Sequence, residues 1–364
     1  MASNTRYYRV KGIPTSWPKS TLLNALKAAS AVFATLPETG LSLYPAPYGG
    51  GGSQNALLQY NGDLSVIDQT GVYRVNGNGY ALEVDNHFQG LTQLNAAGDN
   101  AAYDIIAITG IDGHAYNSWV GPTTGKMWLR DFIPLRRQLA NSRVMTYGYD
   151  MRLVSGKSWV DYRNEFLQEL VRARTGPRAQ TRPIIFIGHN IGGIMVVQAL
   201  LECLANREYS QVLSSVKRIV FLGTPHQGMQ TEALLAATQK STLTAAQKAS
   251  RTAMLQQLAI GSPFLQKMSA DVTNTLKSIA VGIVYETRGV LKNGWEVYMV
   301  DRSSAMVHNQ GRIVGFVAKN NENLIRFEHG ADPDVHSIMD FATPEVVSIM
   351  DFMEGRPEGL EEKK

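Results

Sequence analysis

The sequence predicts an α/β protein: a mostly parallel, doubly wound sheet preceded by a small α+β unit. One observation is the run Ile184-Ile-Phe-Ile187, whose β-branched and apolar residues read as a buried strand before Gly188, Gly192 and Gly193 turn it into the helical pattern Ile194 to Leu204. A second is that, from Tyr103 onward, apolar runs of strand length alternate with amphipathic helical stretches, as in parallel sheets covered on both faces. The third is a different rhythm before residue 95, where strand, helix, strand and strand follow one another.

In that first part, Tyr7 to Pro14 reads as a strand ending at a turn, and Lys19 to Ala29 as a helix with Leu22, Leu23 and Leu26 on one face. Leu41 to Tyr44 and Asn55 to Tyr60 read as two more strands. Gly49 to Gly52 form a loop and not a phosphate cradle, because no Lys-Ser/Thr pair follows them. The order resembles the start of an RNA-recognition-like fold, and Val10-Lys-Gly-Ile-Pro14 is similar to that fold's first-strand motif. Its third strand offers only Tyr60 where RNA-binding members stack bases on several aromatics, so a packing or dimerisation module is expected and no nucleic acid. Val72 to Val84 reads as a hairpin, with Asn86 to Asn95 as a linker and His87 as a turn residue. The expected units are therefore residues 1–95, an α/β unit over 96–354 with a helical cap at about 229–278, and a disordered charged tail, 355–364.

The second unit supplies strands at Asp104 to Gly110, Ser142 to Asp150, Pro183 to Gly188, Val216 to Gly223, Ser278 to Glu286 and Ile313 to Val317. Gly188-x-Asn190-x-Gly192 has the spacing of the nucleophile elbow Gly-x-Ser-x-Gly, with asparagine at the centre. Asparagine enters positive-φ geometry more readily than most residues, so it keeps the turn. Its delocalised amide nitrogen is not a nucleophile that a neighbouring base can activate.

The motifs Trp128-Leu-Arg-Asp131, Tyr147-Gly-Tyr-Asp150 and Phe221-Leu-Gly-Thr-Pro-His-Gln-Gly228, with the run Asp104 to Trp119, resemble a lipase-like α/β-hydrolase family. It is related to GPI-inositol-deacylase-like lipases and occurs at the N-termini of fungal NACHT and ankyrin-repeat proteins. Val10 to Pro14 and His87-Phe-Gln-Gly-Leu-Thr92 are similar to the fungal members as well. The resemblance implies an α/β-hydrolase fold, with an oxyanion hole from the backbone N–H groups of Ile191 and Ile111, or Asp112 as the neighbouring option. It places the triad acid at Glu286, with Asp301 as second choice, and the base at Asn321, because Asn320-Asn-Glu-Asn-Leu-Ile-Arg-Phe327 aligns with the family's Asp-His-x-x-Met-Cys-Lys/Arg-Phe. His308, His329 and His336 lie off that motif, His329 closest. His114 and His226 read as loop-ordering residues near the site, and His189 adjoins Asn190.

These readings lead to a hydrolase-fold protein that has lost its serine and histidine and binds an apolar carbonyl or acyl compound, with catalysis of a cyclisation, isomerisation or elimination through Asn190 and Glu286. The alternatives are a non-catalytic pseudohydrolase serving as an interaction or signalling module, and a serine esterase represented by an inactivated variant. No cofactor or metal is expected, since no His, Cys or acidic cluster has ligand spacing. A net charge of +4 with 18% charged residues is no basic stripe. The single cysteine, Cys203, precludes an intrachain disulfide, and Met1 to Arg9 lacks the apolar stretch of a secretory signal, so a cytoplasmic chain without a membrane segment is expected. A homodimer is the macromolecular partner the N-terminal unit allows.

Overall fold

The structure is a computed structural model that describes residues 6–48, 52–60, 64–77, 79–292, 295–307, 312–317 and 319–343. Gly49 to Gly51, His308, residues 344–354 of the expected α/β unit and the expected tail 355–364 lie outside the described residues.

The N-terminal unit is a five-stranded sheet in the order β2-β3-β1-β5-β4, made of β1 (Arg6–Pro14), β2 (Leu41–Pro45), β3 (Ser53–Tyr60), β4 (Val72–Gly77) and β5 (Tyr80–Asp85). β1 pairs antiparallel with both β3 and β5, and β2 with β3, which is the RNA-recognition-like arrangement with β4 added as the outer arm of a hairpin. Alternation along β1 decides what each face does. Tyr8, Val10 and Ile13 point to a core shared with Leu22 and Leu26 of the helix Lys19–Ala29. Tyr7 and Arg9 point the other way, as does Leu57 of β3, and all three are buried.

That second face, on which RNA-recognition modules stack bases, is covered by the rest of the chain. The Tyr7 and Tyr116 rings stand 4.6 Å apart, and Tyr7 Oη donates to the Gly125 carbonyl over 3.3 Å. Arg9 is 1% exposed; its Nε pairs with Asp85 at 2.9 Å, while its other nitrogens donate to Thr92 Oγ1 at 2.7 Å and the Gln89 carbonyl at 3.0 Å.

The second sheet has seven strands in the order β14-β11-β10-β9-β7-β8-β6. They are β6 (Gly90–Gln93), β7 (Tyr103–Ile108), β8 (Ser142–Gly148), β9 (Ile184–His189), β10 (Val216–Leu222), β11 (Ala280–Glu286) and β14 (Arg312–Val317); β12 (Val290–Lys292) and β13 (Trp295–Val297) form a separate hairpin. All neighbours run parallel except β6, which is antiparallel to β8. Gly90–Gln93 therefore corrects the sequence reading of Asn86 to Asn95 as linker. Four residues are too short to show a period, and only pairing with Met145 to Gly148 makes them a strand.

At the N-terminal edge of this sheet the carboxylate of Asp104, fully buried, takes three buried guanidinium groups, from Arg143 at 2.8 Å, Arg182 at 3.0 Å and Arg174. Their remaining N–H groups are taken by backbone carbonyls of Ala173, Gln180, Arg182, Ala101 and Asp99. The knot pins the starts of β7, β8 and β9 together. The opposite, C-terminal ends of the strands are left to loops, where open α/β sheets place their sites.

Candidate functional site

β9 ends at His189 and the helix Ile191–Ala205 begins one residue later, so Asn190 alone makes the corner, with φ 49° and ψ −126°. The glycines around it are required by contact. A Cβ on Gly192 would stand 2.2 Å from the Ile108 carbonyl oxygen, and one on Gly188 would stand 2.6 Å from Gly193 Cα. The helix is apolar nearly all round and buried from Ile191 to Val197, and this fixes the corner between the sheet and its covering layer. A sharp strand-to-helix corner on the central strand, with β8, β7, β9, β10 and β11 in this order, decides the architecture. The chain has the α/β-hydrolase fold.

At the corner two amides face each other. Asn190 Nδ2 donates to Asn321 Oδ1 over 2.8 Å, and Asn321 Nδ2 donates to the Gly223 carbonyl over 3.1 Å. Asn190 Oδ1 accepts from the backbone N–H of Ile191 at 2.8 Å and, at the limit of a hydrogen bond, from that of Ile111 at 3.5 Å. The reverse orientation of the amide would turn Nδ2 toward the Ile191 N–H, donor against donor, so the network fixes which atom is which. The side-chain oxygen of Asn190 thus lies between the two N–H groups expected to form an oxyanion hole. The N–H of Asp112, the other option, donates to the Met151 carbonyl at 3.0 Å.

Glu286, at the end of β11, and not Asp301, is the acid that reaches Asn321. Its Oε2 accepts from the Asn321 N–H and its Oε1 from the Val300 N–H, each over 2.6 Å. Burial pushes its carboxyl up to about 7, against the pull of those N–H groups, which favour the carboxylate. Asp301 is instead the N-cap of the short helix Arg302–Ala305, with Oδ1 accepting from Ser304 N at 2.7 Å and Ser303 Oγ at 2.6 Å.

The histidines divide. His189 lies against the centre: its Nε2 is 2.8 Å from the Asn321 carbonyl, and burial lowers its pKa to about 4. His114 is turned away from the corner, with Nε2 on the Asn86 carbonyl at 2.7 Å and Nδ1 accepting from the N–H groups of Tyr116 and Asn117 at 3.0 Å. Those bonds order the loop after β7. His226 is buried, with its ring edge-on to Phe221, and lines a different cavity together with Asp301. His329 is exposed and does not line the cavity beside Asn190.

Asn190 itself is 1% exposed, and the thioethers of Met299 and Met229 stand 3.7 and 4.0 Å from its Nδ2. Beside it lies a cavity of about 220 Å³, walled by Ile111, Leu234, Met299, Asn321 and Arg326 among others. Leu234 comes from the helix Glu232–Lys240, the first of three helices in the expected cap, followed by Ala245–Gln257 and Pro263–Leu276. The second is clamped to the loop after β7, where Arg251 holds both carboxylate oxygens of Asp112 at 2.9 and 2.6 Å. Asp112 has φ 54°, so the clamp also holds a backbone conformation that L-residues seldom adopt. Among the described residues no three His, Cys, Asp or Glu side chains gather as metal ligands, and no helix is long and apolar enough to cross a membrane.

Comparison with known proteins adds distant likenesses. No family model matches the chain. Protein SERAC1 of Danio rerio is 24% identical over 146 residues, which cover 34% of this chain and 22% of that protein. SERAC1 of Homo sapiens is 26% identical over 152 residues, with the same 34% and 22% coverage. The chain spans about a fifth of the length of these curated relatives. Among solved structures, Bacillus licheniformis lipase BlEst2 is similar with a TM-score of 0.47 and 15% identity, covering 70% of this chain and 98% of that one. Esterase RhEst1 from Rhodococcus sp. has a TM-score of 0.40 and 13% identity, with coverage of 75% and 98%.

Proposed function

We propose that this is a catalytically silent α/β-hydrolase-fold protein, a sensor-type binding module whose acyl-transfer centre has become a closed amide network. The observation that supports it is the 2.8 Å hydrogen bond from the Ile191 N–H to Asn190 Oδ1. A hydrolase keeps such donors free for charge that develops in the transition state. Here the residue at the elbow fills them with its own neutral carbonyl oxygen. Its other amide atom is taken by Asn321, in the position the resemblance gives to the base. Neither asparagine can take up or release a proton at neutral pH, so the pair imitates the shape of a nucleophile and base without the chemistry.

The same contact weighs against the non-hydrolytic enzyme that the sequence favours. Polarising a substrate carbonyl would require Asn190 to swing out of the hole, giving up its bonds to Ile191 and Asn321. Glu286 has the raised pKa of a proton shuttle, but both its oxygens are committed to backbone N–H groups.

Hydrolysis of p-nitrophenyl butyrate tests the reading. The chain is expected to match the buffer rate, and Asn190→Ser with Asn321→His is expected to raise it, with Glu286 as the acid. Hydrolysis by the unsubstituted chain that Asn190→Ala abolishes would overturn the proposal. Turnover of a carbonyl compound lost in both Asn190→Ala and Glu286→Gln would do the same.

A further inference from the structure

The arginines buried among the described residues follow one rule, and the cavity beside Asn190 departs from it. Arg9, Arg143, Arg174, Arg182 and Arg251 each hold an aspartate. Arg326 is half-buried, lines the cavity, and forms no ion pair or side-chain hydrogen bond among the described residues; its Nε is buried without a partner. A guanidinium withdrawn from water and left unpaired costs free energy that a matching anion returns, and Arg–carboxylate bonds are among the stronger ones proteins make. We propose that this cavity is a receptor site for a small aliphatic monocarboxylate, whose carboxylate pairs with the Arg326 guanidinium.

The remaining walls fit that class. Ile111, Leu234 and Met299 offer apolar surface for a short chain. Two further lining residues keep unused polar atoms: Thr109 Oγ1 and His189 Nδ1 are buried without hydrogen bonds. Of these, the Thr109 hydroxyl can donate to a carboxylate oxygen, whereas His189 carries its proton on Nε2, toward the Asn321 carbonyl, and its Nδ1, an acceptor, makes no bond to a carboxylate. At about 220 Å³ the space lies below the roughly 300–1,000 Å³ of drug-sized sites, which limits the ligand to a short chain. Glu322 is exposed on the same cavity, and its negative charge opposes a doubly charged anion such as phosphate. Asp112 adds no net charge, since Arg251 neutralises it.

This site rests on the reading of the centre as a binding site and not a catalytic one, and calorimetric titration of the full chain separates the two. Sodium hexanoate is expected to bind saturably at one site, and inorganic phosphate and hexan-1-ol are expected not to. Arg326→Gln is expected to weaken hexanoate binding at least about tenfold, the equivalent of one charge-assisted contact. Absence of hexanoate binding would overturn the site, as would equal binding of hexan-1-ol, a comparison that needs no variant. Undiminished binding by folded Arg326→Gln would also overturn it. A chain that neither binds hexanoate nor hydrolyses esters loses the carboxylate site and keeps the silent centre; a chain that hydrolyses esters loses the silent centre whatever it binds.

Discussion

Asn190 and Asn321, 131 positions apart, meet amide to amide, with Nδ2 of the first 2.8 Å from Oδ1 of the second. Each uses its second amide atom on the backbone: Asn190 accepts from Ile191, and Asn321 donates to Gly223. Removing one partner strands the groups it satisfied. Asn190→Ala leaves the Ile191 N–H and Asn321 Oδ1 unpaired in a buried place and keeps a side chain at positive φ. A loss of about 1–3 kcal/mol is expected, read as a lower urea midpoint. Asn190→Ser retains a hydroxyl for the Ile191 N–H and should lose less. Equal stability of the alanine variant and the parent would show that the network holds nothing.

Glu286 makes stability depend on pH in a stated direction. Its folded-state pKa, about 7, lies above its ordinary 4.5, so between these values the folded chain binds more protons than the unfolded one. The contribution is fully present below about 4.5 and is lost as pH rises through about 7. Glu286→Gln is expected to flatten the stability curve across that window. Urea midpoints of both proteins at pH 5 and pH 8 check this; an unchanged difference between the two pH values would count against it.

The elbow was legible because its requirements are local. A β-branched run, glycines spaced around one asparagine and an apolar helix fit only a tight strand-to-helix corner. The hairpin β4–β5 and the helix Lys19–Ala29 were legible for the same reason, a period confined to a few residues. The direction of the Asn190 amide was not legible, because it depends on Ile111, Asn321 and Met299 brought in by other strands. The role of Arg326 is not legible in the sequence for the same reason: an arginine shows itself as unpaired only when every neighbour is known. The three guanidinium groups on Asp104 come from positions up to 78 residues away, and nothing in the spacing of those arginines announces them.

Asp104 supports one of the larger stability effects expected here. Asp104→Asn would leave Arg143, Arg174 and Arg182 buried around a neutral amide, and breaking a buried pair from one side costs about 3–5 kcal/mol. The exposed pair Lys267–Asp271 serves as a control, where Asp271→Asn should change stability by less than about 0.5 kcal/mol. Similar urea midpoints for the two variants would contradict this ranking.

Arg9 ties the N-terminal sheet to the start of the large one through Thr92 and the Gln89 carbonyl. Arg9→Met removes both links and leaves Asp85, 2% exposed, without its cation. The connection from Asn86 to Gln89 is then expected to become a site of rapid cleavage in limited proteolysis, with destabilisation of about 3–5 kcal/mol. Cleavage at the parent's rate would mean that Tyr7 and Leu57 hold the two sheets together without it.

Intact-mass measurement after exposure to a fluorophosphonate probe addresses the centre most directly, since the probe phosphonylates, with loss of fluoride, only an activated nucleophile beside free oxyanion donors. With Asn190 at the corner and its own oxygen on the Ile191 N–H, the chain should keep its mass unchanged while Asn190→Ser with Asn321→His gains one adduct. A stoichiometric adduct on the unsubstituted chain would contradict the account.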